Sequence, residues 1–127
     1  MSTILVIEDT QDNFDLIADA LEDTHNVLHA DNGRAGLTEA HRLKPDLILL
    51  DMVLPEIDGW EVVRRLKADC DLASIPVIAL TAQAMKDDRA ECLAAGCDDY
   101  ISKPIAVRDL VALVARHLSS SSALETR

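Results

Sequence analysis

Short apolar runs alternate along this chain with segments of helical periodicity, and most of the runs end in a residue suited to handling phosphate or a divalent metal. Residues 4–7 lead into Glu8 and Asp9, 47–50 into Asp51, 77–80 into Thr81, and 100–102 into Lys103. If these runs are parallel strands of one sheet, their carboxyl ends lie along one edge, where open α/β sheets bind their ligands. Carboxylates, a hydroxyl and an ammonium would then converge there.

The intervening segments read as helices. Phe14, Ile17, Ala18 and Leu21 recur at the i, i+3, i+4, i+7 spacing of an amphipathic helix. A second strand is expected over 26–30, a turn at Asn32-Gly33, and a helix over about 34–43 that stops before Lys44-Pro45. Residues 46–51 are the most continuous apolar strand, as suits the centre of a parallel sheet. Beyond the turn at Asp58-Gly59, Val62, Val63 and Leu66 share a helical face that fades over 69–74. A fourth strand spans 76–80, Ala90, Leu93 and Ala94 line a fourth helix ended by Gly96, and 99–102 is a short fifth strand. Val107, Leu110, Val111, Val114 and Leu118 line a fifth helix. Strands and helices in strict alternation imply right-handed crossovers and a doubly wound parallel sheet. No internal boundary interrupts residues 1–118, which read as one domain. Residues 119–127, with their serine run, read as a flexible tail or linker stub.

Composition narrows the options. The chain is 49% hydrophobic but only 2% aromatic, so its core must be aliphatic. A net charge of −11 without a basic cluster argues against nucleic acid as a partner. Cys70, Cys92 and Cys97 are odd in number and lack a CxxC spacing, which fits reduced thiols in a cytoplasmic protein better than disulfides or zinc. Neither a signal sequence nor a stretch of membrane-spanning length is present, so no membrane insertion is expected.

Carboxylates about 4 Å apart repel by roughly 4 kcal/mol at an effective dielectric near 20, so a cluster of them calls for a cation. Oxygen ligands without His or Cys suit Mg²⁺ or Mn²⁺. Lys103 can offset charge on phosphate oxygens, and the Thr81 hydroxyl can donate to one. Asp51, at the end of the central strand, is then the nucleophile that accepts a phosphoryl group.

Taken in order, these residues resemble the receiver domain of two-component response regulators, the CheY-like superfamily, over residues 3–118. The resemblance is carried by Glu8-Asp9, by Asp51-Met52-Val53-Leu54-Pro55 with Gly59 downstream, by Thr81-Ala82, and by Tyr100 followed by Lys103-Pro104. It implies a (βα)5 flavodoxin-like fold with strand order 2-1-3-4-5. It also implies that Asp51 receives phosphate from a histidine kinase or a histidine phosphotransfer protein. Asp9 and Asp51 would contact Mg²⁺ directly, Glu8 mostly through water, and the backbone carbonyl of Val53 would be a further ligand. Lys103 would bridge to the phosphate, ahead of a cis bond to Pro104. Thr81 and Tyr100 would be the switch pair. A downstream target protein would meet the fourth helix, fifth strand and fifth helix, whereas the first helix, with Phe14 near its start, would face the kinase. The expected role is a signalling switch without an output domain, whose only catalysis is self-directed.

Two flanking residues depart from the most familiar receivers: Val53 lies two positions after Asp51, and Gln83 holds the corresponding place after Thr81. Val53 cannot hydrogen-bond to an attacking water, which predicts a long-lived phosphoryl state. Blander roles compete at single positions. Glu8-Asp9 alone could cap a helix, Asp31 and Asp58 read as turn or cap residues, Tyr100 could be core-edge packing, and the four scattered histidines suggest no chemistry. Other functions fit less well. A receiver cut from a hybrid kinase would share the chemistry but not the partners. A dehalogenase-type phosphatase would place a second Asp where Val53 stands, and a flavin binder would need a glycine-rich loop.

Overall fold

The computed structural model describes residues 2–81 and 93–125, with side chains described as far as residue 118. In chain order the elements are β1 (Ser2–Ile7), α1 (Gln11–Leu21), β2 (His25–Ala30), α2 (Gly33–Leu43), β3 (Leu47–Asp51), α3 (Gly59–Ala68), β4 (Val77–Thr81), β5 (Asp99–Ser102) and a C-terminal helix (Val107–Glu125). All strand pairs are parallel, in the order β2-β1-β3-β4-β5. The anticipated fourth helix falls largely on residues 82–92, outside the described residues, and Gln83 lies there too. The C-terminal helix continues to Glu125, past the end of the apolar spacing at Leu118.

Every residue of β3 and β4 is buried, as expected of strands covered on both faces. Alternation along the strands sorts the core into two layers. Leu5, Ile7, Ile48, Leu50, Val77 and Ala79 pack with Val62, Val63 and Leu66 of α3. Ile4, Val6, Leu47, Leu49, Ile78 and Leu80 pack with Ile17 and Leu21 of α1 and Leu110 and Val114 of the C-terminal helix. The pleat makes this division: neighbouring residues point to opposite faces, so an uninterrupted apolar run serves both layers.

Local chemistry sets the helix starts. The Asn32 side chain accepts from the Ala35 backbone N–H (2.8 Å), and Asp58 accepts from that of Glu61 (3.0 Å), so both are N-caps. Asp58 thus has its anticipated role, and Asp31, in the bend that leads into α2, accepts from the Asn32 amide (2.9 Å). The span 69–74 is less of a bare fade-out than its composition suggests. Leu72 within it is 1% exposed, and Lys67 donates to the carbonyls of Ala73 (3.1 Å) and Ile75 (3.0 Å) and to Asp98 (3.1 Å). Those bonds tie α3 to the start of both β4 and β5.

One glycine bears directly on the strand-end edge. A β-carbon at Gly59 would lie 2.4 Å from the Met52 Cα and 2.7 Å from the Asp51 carbonyl oxygen. Only glycine lets α3 begin against the backbone that carries Asp51. Met52, Leu54 and Ile57 fold inward beside it and seal the loop between β3 and α3.

Candidate functional site

Parallel pairing brings the strand-end residues together. Ile7 pairs with Leu50, Asp51 with Leu80, and Thr81 with Ser102, so Glu8, Asp51, Thr81 and Lys103 occupy the end of successive strands β1, β3, β4 and β5. Glu8, Asp9 and Asp51 each offer a carboxylate oxygen within 4.8 Å of the others. Glu8 and Asp51 are buried, and Asp9 is exposed at the mouth of the site.

Lys103 reaches into this cluster. Its Nζ lies 3.2 Å from Asp51 Oδ2 and 3.5 Å from Glu8 Oε1. The backbone around it is pinned because the Lys103 N–H donates to the Thr81 carbonyl (2.7 Å), and the Lys103-Pro104 peptide bond is cis. Asp51 is also held from its own loop, where the Val53 N–H donates to Oδ1 (3.0 Å). Thr81 is 9% exposed beside these groups, and Tyr100 is half-buried against the core. Val53 is 71% exposed.

The electrostatics are unbalanced without a cation. Burial, with the Asp51 carboxylate alongside, pushes Glu8 up to about 6 despite opposing help from Asn13 and Lys103. Glu8 Oε1 accepts from Asn13 Nδ2 (2.7 Å), but Oε2 is buried without a hydrogen-bond partner among the described residues. An orphaned buried carboxylate oxygen is costly unless something positive meets it. The donor set, oxygen throughout, fits a hard divalent cation of the Mg²⁺ kind. The capping alternative for the acidic pair fails, since the α1 N-cap is Thr10 and makes no side-chain cap bond.

Three contacts near the site involve residues with no chemistry assigned from sequence. Asn13 holds Glu8 from α1. From β2, His29 Nε2 lies 2.8 Å from the Glu8 carbonyl oxygen, and its ring stacks on Phe14 with centroids 4.0 Å apart. The only available signal was weak: a helix facing the acidic pair carries an amide on its inward side. His29 had none, because it meets Glu8 only once β2 pairs with β1.

A doubly wound parallel sheet with an acidic, lysine-bridged cluster at its strand ends defines a class of phosphate-responsive signalling domains. The chain belongs to the response regulator receiver domain family of two-component systems, whose family model matches residues 4–115. It is 39% identical over 120 residues to the polar-differentiation response regulator DivK of Brucella anthropi, covering 94% of this chain and 98% of that one. Among solved structures it resembles the receiver domain of a signal transduction histidine kinase from Syntrophus aciditrophicus, at 36% identity and a TM-score of 0.87, covering 94% of this chain and 92% of that one. It also resembles the receiver domain of a sensor histidine kinase from Pseudomonas aeruginosa, solved with a magnesium ion coordinated in its active site cleft. That match has 34% identity and a TM-score of 0.85, covering 93% of this chain and 98% of that one. Among the described residues, no helix is long and apolar enough to cross a membrane.

Proposed function

We propose that Asp51 accepts a phosphoryl group from a phosphohistidine of a histidine kinase or phosphotransfer protein, and that the modified domain changes its binding to a downstream protein. The observation that carries this reading is the meeting of Glu8, Asp9 and Asp51 within 4.8 Å beneath the Lys103 ammonium. Glu8, Asp9, Asp51 and the Val53 carbonyl would hold Mg²⁺ or Mn²⁺. Such a cation supplies charge neutralisation for the incoming phosphoryl oxygens.

In the transfer, a carboxylate oxygen of Asp51 attacks phosphorus, the P–N bond to the donor imidazole breaks, and the imidazole takes up a proton as it leaves. The Val53 N–H and Lys103 orient the carboxylate before attack. Afterwards Lys103 keeps an ion pair with the phosphoryl group, and the Thr81 hydroxyl donates to one of its oxygens. The product adds close to two negative charges and new acceptor oxygens. Those hydrogen bonds favour an arrangement with Thr81 drawn in and Tyr100 following, which alters the face of β5 and the helices beside it, where the target docks. Catalysis is self-directed, and the site of action is the cytoplasm.

Labelling by a small phosphodonor such as acetyl phosphate tests this reading. Wild type should be labelled only with Mg²⁺ present, and Asp51→Ala not at all. Equal labelling of both proteins would reject the assignment.

A further inference from the structure

We propose that Asn13 is a positioning residue for the metal site, acting through Glu8. This inference rests on the reading that the acidic cluster holds a divalent cation, and it adds residues from α1 and β2 to that site.

Glu8 is gripped at three points. Its backbone N–H donates to the Ala30 carbonyl (3.0 Å), and its own carbonyl oxygen accepts from His29 Nε2 (2.8 Å). A carbonyl can only accept, so Nε2 must carry the proton. The third grip is the Asn13 amide on Oε1 (2.7 Å). A carboxylate offers no proton, so the NH₂ end of Asn13 must face it, and the orientation of the amide is settled by chemistry.

These grips divide the two oxygens of one carboxylate. Oε1 takes two donors among the described residues, Asn13 at 2.7 Å and Lys103 at 3.5 Å. Oε2 is left buried with no hydrogen-bond partner among the described residues, on a carboxylate that offers an oxygen within 4.8 Å of those of Asp9 and Asp51. Asn13 therefore determines which Glu8 oxygen is free for a cation or its bound water. Removing the amide would let the carboxylate rotate toward Lys103 and share both oxygens with it. Asn13 itself is held firmly, because the next residue, Phe14, stacks on the His29 ring that grips the Glu8 backbone (centroids 4.0 Å, planes 9° apart). Ligand-orienting partners of this kind typically change metal affinity by about 10- to 100-fold.

Calorimetric titration of the full chain with MgCl₂ gives the test, in a double-mutant cycle of Asn13→Leu and Glu8→Ala. Leucine matches asparagine in size but has no donor. Asn13→Leu should weaken Mg²⁺ binding by about tenfold when Glu8 is present. In the Glu8→Ala background, where Asn13 has no carboxylate left to orient, it should change the Kd by less than about twofold, since residues acting through one another are not additive. An unchanged Kd for Asn13→Leu, or an equal loss in both backgrounds, overturns the inference while leaving the metal site standing. No Mg²⁺ binding by wild type overturns both. Should the leucine variant not fold, Asn13→Ala takes its place in the same cycle.

Discussion

Replacing Glu8 by glutamine should stabilise the metal-free protein, although it removes a carboxylate of the candidate site. Glu8 is fully buried, and its pKa stands at about 6 against an ordinary 4.5. The folded state therefore binds its proton more tightly than the unfolded state does. This contribution to stability is fully present below pH 4.5 and is lost as the pH rises through about 6. Above pH 7 the charged carboxylate costs the fold about 2 kcal/mol, from 1.36 kcal/mol per pKa unit. Glutamine escapes that cost and still accepts from Asn13 through its carbonyl oxygen, while losing the attraction to Lys103. A net gain of about 1–2 kcal/mol is expected, or roughly 3–8 °C in Tm for a domain of this size. The assay is thermal and urea unfolding followed by circular dichroism in EDTA. At pH 7.5 Glu8→Gln should be the more stable protein, and at pH 4.5 the advantage should shrink to below about half a kcal/mol. Saturating Mg²⁺ should then raise wild type more than the variant, because ligand binding stabilises whichever fold binds better. A variant less stable than wild type in EDTA at pH 7.5 would refute the claim that Glu8 is held charged at a cost.

Other sites give independent checks. Gly59→Ala should destabilise by about 1–3 kcal/mol or more in urea unfolding and slow phosphodonor labelling, since its β-carbon would meet the Met52 Cα at 2.4 Å and displace the backbone at Asp51. Lys44 closes α2 in the left-handed region (φ 46°), so Lys44→Gly should gain up to about 1 kcal/mol while labelling stays unchanged. Val53→Asn would place a hydrogen-bonding group at an exposed position beside Asp51. It should shorten the half-life of the phosphorylated protein in a pulse-chase, and an unchanged half-life would remove Val53 as a determinant of it.

Much of the fold could be read along the chain because each signal is local. Periodicity separated the strands from the helices, and Asp58 announced the start of α3. The strand-end residues Glu8, Asp51, Thr81 and Lys103 stood out because polar groups directly after apolar runs must sit at a sheet edge. Boundaries were less exact for a physical reason. His25 and Gly33 have little intrinsic preference for a strand or a helix, and they join β2 and α2 through pairing with β1 and the Asn32 cap. Leu72 resembled a loop residue because the core layer it joins is assembled from strands and helices distant from it in the chain.

By itself, then, the sequence determined the aliphatic alternation that makes a parallel sheet, and the chemical kind of each strand-end residue. Only the tertiary structure decided how those residues share the work. Whether Glu8 caps a helix or joins an acidic cluster, with one oxygen lacking a hydrogen-bond partner among the described residues, depends on Asn13 from α1 and His29 from β2. Their proximity follows from strand pairing and helix packing, which no spacing in the chain encodes. The burial that raises Glu8, and the Lys103 ammonium that crosses from β5 to reach it, likewise arise only when separate strands are brought side by side.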